Sequence, residues 1–150
     1  PSVCTSHSFS DKVQAIRAAQ AAGLDVCSGG IMGLGESIED RIDMALSLRD
    51  LGIESIPVNM LNPIPGTPME KYESLTVKEM QRIIAVYRFI LPKAFIRLAG
   101  GRGLMEDKGK ACFQSGANAT ISGDMLTTAG ITVKKDLRLL EELDYRIKPL

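Results

Sequence analysis

Apolar positions along the chain alternate between two rhythms, helical spacing and short continuous runs. Ser10 is placed to cap a helix through DKVQAIRAAQAA, with Val13, Ile16 and Ala19 or Gln20 at helical spacing and Gly23 closing it. LDVCSGG then reads as a short buried strand running into a glycine-rich loop. Ser37 opens a second helix, SIEDRIDMALSLRDLG, whose apolar face is Ile38, Ile42, Ala45, Leu46 and Leu48. The alternation continues with a strand over residues 55–61 and a proline-rich loop that can continue neither element. A helix capped by Thr76, a strand over residues 94–103 and a short helix in KGKACFQSG follow. A fourth strand is expected over residues 117–123, then the loop DMLTTAG and a terminal helix, VKKDLRLLEELDYR.

Strands alternating with helices predict an α/β protein with about four parallel strands and flanking helices, without an internal domain boundary over residues 1–150. Four such units are too few to close a (β/α)8 TIM-type barrel, which takes about 200 residues or more. Two architectures remain: a small open sheet, or half of a barrel. The start at Pro1 rather than a methionine favours the half barrel. Either way, ligands are expected at the loops that follow the strands.

Charge narrows the partners. Eighteen basic residues balance eighteen acidic ones, so neither nucleic acid nor an anionic membrane is expected as the main partner. No apolar run reaches the roughly 20 residues that cross a bilayer, and no basic segment precedes an apolar one at the N-terminus. Three widely spaced cysteines, Cys4, Cys27 and Cys112, argue against a disulfide framework and fit a reducing cytoplasm. With a single histidine, no His-rich metal site or Ser–His relay is available.

A few residues stand out against this background. Cys27 sits at the end of the first expected strand, where it is either a small buried hydrophobe or a thiol facing a site. Gly29 to Glu36 form a glycine-rich loop before a helix, suited to tight packing or to an anion, although the spacing is not the GxGxxG fingerprint. Asn59 interrupts an apolar strand; it is a satisfied core amide or a group that meets a substrate. Arg97 is the odd residue of AFIRLAGG, either on a solvated edge or facing an anion. Arg102 reads as a surface charge or salt-bridge partner, and Thr127 and Thr128 as a turn pair or two hydroxyl donors.

Five segments in order, VCSGGIMGLGE, SIPVNMLNPIPGTP, FIRLAGGR, CFQSGAN and GDMLTT, resemble the biotin synthase family from about residue 10 to residue 145. The resemblance implies half of a (β/α)8 barrel from a homodimeric enzyme that uses S-adenosylmethionine. It implies a 4Fe-4S cluster on a CxxxCxxC motif, which this chain lacks, and a 2Fe-2S cluster whose sulfur enters dethiobiotin. By motif, Cys27 and Arg97 would be ligands of the 2Fe-2S cluster. Asn59, Thr127 and Thr128 would bind dethiobiotin, and Gly30, Ile31 and Met60 would meet S-adenosylmethionine. Cys4 and Cys112 fall outside the ligand motif and are expected to be structural. Without the CxxxCxxC half, the chain by itself is expected to be inactive. Two rivals are weighed: another S-adenosylmethionine radical enzyme sharing the C-terminal biotin/thiamin-synthesis region that the resemblance implies here, such as a hydrogenase maturase or tyrosine lyase, and a small nucleotide-binding α/β module without iron.

Overall fold

The computed structural model describes residues 5–124 and 130–148. Its elements run α1 (Phe9–Ala21), β1 (Gly30–Met32), α2 (Ile38–Asp50), β2 (Ser55–Met60), α3 (Val77–Ile90) and β3 (Phe95–Leu98). A single 3-10 turn (Arg102–Leu104), α4 (Lys110–Gln114), β4 (Ala119–Thr120) and α5 (Val133–Glu142) complete the order. The four strands form one parallel sheet in sequential order, β1-β2-β3-β4. Such a sheet, flanked by the helices between its strands, is one half of a (β/α)8 barrel.

The alternation in β2 explains the layering. Ile56, Val58 and Met60 are buried, whereas Ser55, Pro57 and Asn59 are only half-buried. Successive side chains of a strand point to opposite faces, so one face of the sheet is packed and the other is left open. The packed face carries Met32, Ile56, Val58, Met60, Ile96 and Leu98 into one core with Ala45 and Leu48 of α2, Met80, Ile83, Ile84 and Tyr87 of α3, and Cys112 and Phe113 of α4. Arg88, in the last turn of α3, ties that helix end down by donating to the carbonyls of Leu91, Pro92, Ala94 and Gly116. α1 is peripheral; it buries none of its residues and is joined by Ile16 and by Gln20, whose side chain donates to the Leu51 carbonyl at 2.8 Å.

Helix starts follow the expected chemistry at Ser37 and Thr76, which pair with Asp40 and Glu79 in reciprocal capping boxes. At the first helix the cap is Ser8 rather than Ser10, because Asp11 lies three residues after Ser8 and returns the bond to its backbone N–H. Ile38, expected on the apolar face of α2, is exposed in its first turn.

The expected strand LDVCSGG is displaced: β1 begins only at Gly30, and Cys27 makes an isolated bridge to Ser55. Pro57 sits on the β2 rung between the two contacts and has no N–H to donate, so the ladder breaks there. Gly29 fits the gap because a Cβ at this position would lie 2.0 Å from the Pro57 carbonyl oxygen. The third strand is shorter than expected, since the backbone after Leu98 turns through Gly100 and Gly101 into the 3-10 turn, and the fourth is only Ala119–Thr120.

Ile96, fully buried between β2 and the helices, is a test of the packed face. Replacing it with Ala should lower unfolding free energy by about 2–5 kcal/mol in a denaturant titration, from lost transfer and the cavity left behind.

Candidate functional site

The open face gathers the singled-out residues by register. Cys27 lies beside Ser55, Ile31 beside Asn59, and Arg97 between Pro57 and Ala119. Because Ser55, Pro57 and Asn59 alternate on one side of β2, Cys27, Ile31, Asn59 and Arg97 share that side. The Ser55 hydroxyl donates to the Cys27 sulfur at 3.4 Å, in keeping with this arrangement. Arg97 stands one strand beyond β2, roughly 10 Å of sheet width from Cys27's strand.

The two residues differ in how they are held. Cys27 is exposed and its thiol is accessible. Arg97 is half-buried in β3, and its guanidinium makes no hydrogen bond or ion pair among the described residues. A half-buried cation without a counter-charge is an attractor for an anion. Cys112 is the opposite case: burial, helped by Asp107 nearby, pushes its thiol up to about 12, so it is an inert core residue.

Asn59 is a tie between strand ends. Its Oδ1 accepts the Gly100 N–H at 2.8 Å and its Nδ2 donates to the Gly30 carbonyl at 3.3 Å. One N–H of the amide is left over for another acceptor. The residue is therefore a satisfied amide that still has a donor to offer. Ile31 is 48% exposed at the mouth of the same face. Gly30 and Met60, grouped with it from the sequence, lie otherwise: a Cβ at Gly30 would strike the Met44 side chain at 2.7 Å, and Met60 is buried in the helix-side core. Only their backbones reach the mouth. Thr127 and Thr128 lie outside the described residues.

The glycine loop after β1 has an internal anion. Glu36 accepts the N–H groups of Gly33 and Leu34 at 2.8 and 2.7 Å, and Arg41 Nε donates to it at 2.8 Å. Burial pulls this carboxyl upward, but the backbone donors and the Arg41 guanidinium outweigh it and hold the group below its ordinary value. The donors that a phosphate would use are thus already occupied, which counts against the nucleotide-binding module. Tyr72 closes the loop from above: a Cβ on Gly35 would meet its ring at 2.8 Å. Sequence spacing singled out neither Glu36 nor Asp136, the buried partner of Arg102.

The residues present fit part of an iron–sulfur centre. A thiolate is an iron ligand, and a guanidinium offers charge and nitrogen donors beside an anionic cluster. They do not make a complete one, since no group of three or more Cys, His, Asp or Glu side chains among the described residues could hold a metal ion. No helix among the described residues is long and apolar enough to cross a membrane.

Known proteins share this fold. In three dimensions the chain resembles methylornithine synthase, with a TM-score of 0.77 and 24% identity over 97% of this chain and 47% of that one. It resembles hydroxymethylglutaryl-CoA lyase from Pseudomonas aeruginosa more distantly, with a TM-score of 0.59 and 18% identity over 93% of this chain and 50% of that one. These likenesses define the class as an α/β half barrel. Residues 57–146 match the Biotin and Thiamin Synthesis associated domain, and the chain belongs to that family. It is 68% identical to the biotin synthase of Brachyspira hyodysenteriae over 97% of this chain and 44% of that protein. It is 59% identical to biotin synthase 2 of Corynebacterium diphtheriae over 98% of this chain and 44% of that protein. The chain spans a little under half the length of these relatives.

Two outcomes follow. In the metal-free protein, a thiol reagent followed by peptide mass mapping should label Cys27 well before Cys112; equal rates would contradict the burial of Cys112. Glu36→Gln should cost about 1–2 kcal/mol at neutral pH by weakening charge-assisted bonds to the loop. The depressed carboxyl stabilises the fold above its ordinary value of 4.5, and that advantage disappears as pH falls through the lower folded-state value. Urea midpoints of the two proteins should therefore converge in acid.

Proposed function

We propose that the chain is the sulfur-donating, substrate-holding half of a biotin synthase. The observation that carries this reading is the placement on one open sheet face of Cys27 and of Arg97, whose guanidinium has no partner among the described residues. The family match and the biotin synthase names of relatives at 68% and 59% identity support it over a hydrogenase maturase or tyrosine lyase.

In this reading Cys27 is one thiolate ligand of a 2Fe-2S cluster and Arg97 is its nitrogen donor, the remaining ligands coming from other parts of the full-length protein. When bound, that cluster supplies the sulfur for insertion into dethiobiotin, in a reaction begun by a 5′-deoxyadenosyl radical from S-adenosylmethionine at a 4Fe-4S cluster. Arg97 places positive charge beside the anionic cluster that Cys27 would help to hold. Asn59 presents its remaining N–H to a carbonyl of dethiobiotin, and a fixed amide at a strand end orients such a group at little entropic cost. Thr127 and Thr128 receive the carboxylate tail. Ile31 packs against the adenine of S-adenosylmethionine, while Gly30 and Met60 contribute backbone only. The full-length enzyme works as a cytoplasmic homodimer.

The test is reconstitution of the full-length protein with iron and sulfide. A 2Fe-2S absorption spectrum and biotin formation from dethiobiotin should both be lost on Cys27→Ala. An unchanged spectrum in that variant would sink the ligand assignment.

A further inference from the structure

Arg102 and Asp136 form the most deeply buried ion pair among the described residues, each only 3% exposed. Arg102 Nη2 donates to both Asp136 oxygens at 2.6 Å, and the Ser122 hydroxyl donates to the same carboxylate. The arginine stem packs close to Gly109, where a Cβ would lie 3.1 Å from its Cδ, and Nη1 is buried without a partner. Burying such a pair is costly and gives little stability compared with apolar packing, so its location asks for a reason.

That location is the backbone leading to Asn59. Gly100 N–H donates to Asn59 Oδ1, and the Gly100 carbonyl accepts from Met60 N–H at 2.8 Å. Gly101 follows at φ +80, so close to β2 that a Cβ would lie 2.1 Å from the Met60 carbonyl oxygen. Arg102 comes next and anchors this turn to α5 through Asp136, whose carboxylate also accepts from Ser122 in the segment after β4. We infer that Arg102 and Asp136 are positioning residues: they hold the Gly100–Gly101 turn against β2 and thereby fix the amide of Asn59 at the open face. The inference rests on the reading of Asn59 as the dethiobiotin-binding amide for its functional consequence, but its structural half stands apart from that reading.

The experiment uses the full-length protein with Asp136→Asn, Asn59→Ala and the double variant, and reads two quantities. Without substrate, hydrogen exchange at the Gly100 amide should accelerate roughly tenfold in Asp136→Asn, while Ala99, bonded to the Val58 carbonyl within the ladder, stays near its original rate. With substrate, KM for dethiobiotin should rise about fivefold to tenfold in each single variant, with kcat and the cluster spectrum little changed. The double variant should be no worse than Asn59→Ala, because residues acting through one another are not additive. Should Asp136→Asn fail to fold, Ser122→Ala removes a single donor and is read by the same exchange measurement. Gly100 exchange indifferent to the variants, or fully additive losses in KM, overturns the inference. Exchange that responds as expected in a protein that never converts dethiobiotin leaves the positioning intact and refutes the functional reading instead.

Discussion

Burial of Ile56, Val58 and Met60 against α2, α3 and their neighbours fixes the pleat of β2, and with it the direction of every side chain on that strand. A slip of one residue would turn these three toward the open face and drive Pro57 and Asn59 into the core. Register then passes outward: Ser55 to Phe95, Pro57 to Arg97, and Ile31 to Asn59. Cys27, Ile31, Asn59 and Arg97 share a face because the apolar residues on the other side leave them no alternative. The chemistry of the open face is thus a consequence of how the closed face packs.

Polar groups set the finer geometry at the strand ends. Glu36 fills the loop after β1 with the protein's own carboxylate, drawing in Gly33, Leu34 and Arg41. Asn59 joins the ends of β1 and β3, and Arg102 with Asp136 and Ser122 holds the turn beyond β3. The bonds of Asn59, Arg102 and Ser122 cross between elements that apolar packing has already brought together. Dispersion and burial are non-directional, whereas a hydrogen bond fixes both distance and angle.

Much of this was legible from spacing alone. Helical periodicity and caps located α2 and α3, whose starts at Ser37 and Thr76 obey local backbone chemistry. The oddness of Asn59 and Arg97 in apolar strands marked them as special, since such residues are seldom placed there without a partner. Position of β1 was not legible, because the break in its ladder comes from a proline on a different strand, 30 residues further on from Cys27 in sequence. The resemblance places Met60 with Ile31 at S-adenosylmethionine, but the pleat sends its side chain to the other face. Asp136 gave no signal either, since an acid in a charged helix looks solvated until its partner is known.

The sequence by itself determined the order of elements and marked Cys27 at a strand end and Asn59 and Arg97 inside apolar strands as candidates. Those follow from local propensities and period, which act over a few residues. Only the tertiary structure decided that Cys27 and Arg97 face the same space, that the glycine loop is closed by Glu36, and that Arg102 is paired rather than exposed. The first and the last depend on strand register or on contact between segments remote along the chain, which no local pattern encodes. Glu36 instead closes its loop through bonds two to five residues apart, whose geometry only the folded backbone sets.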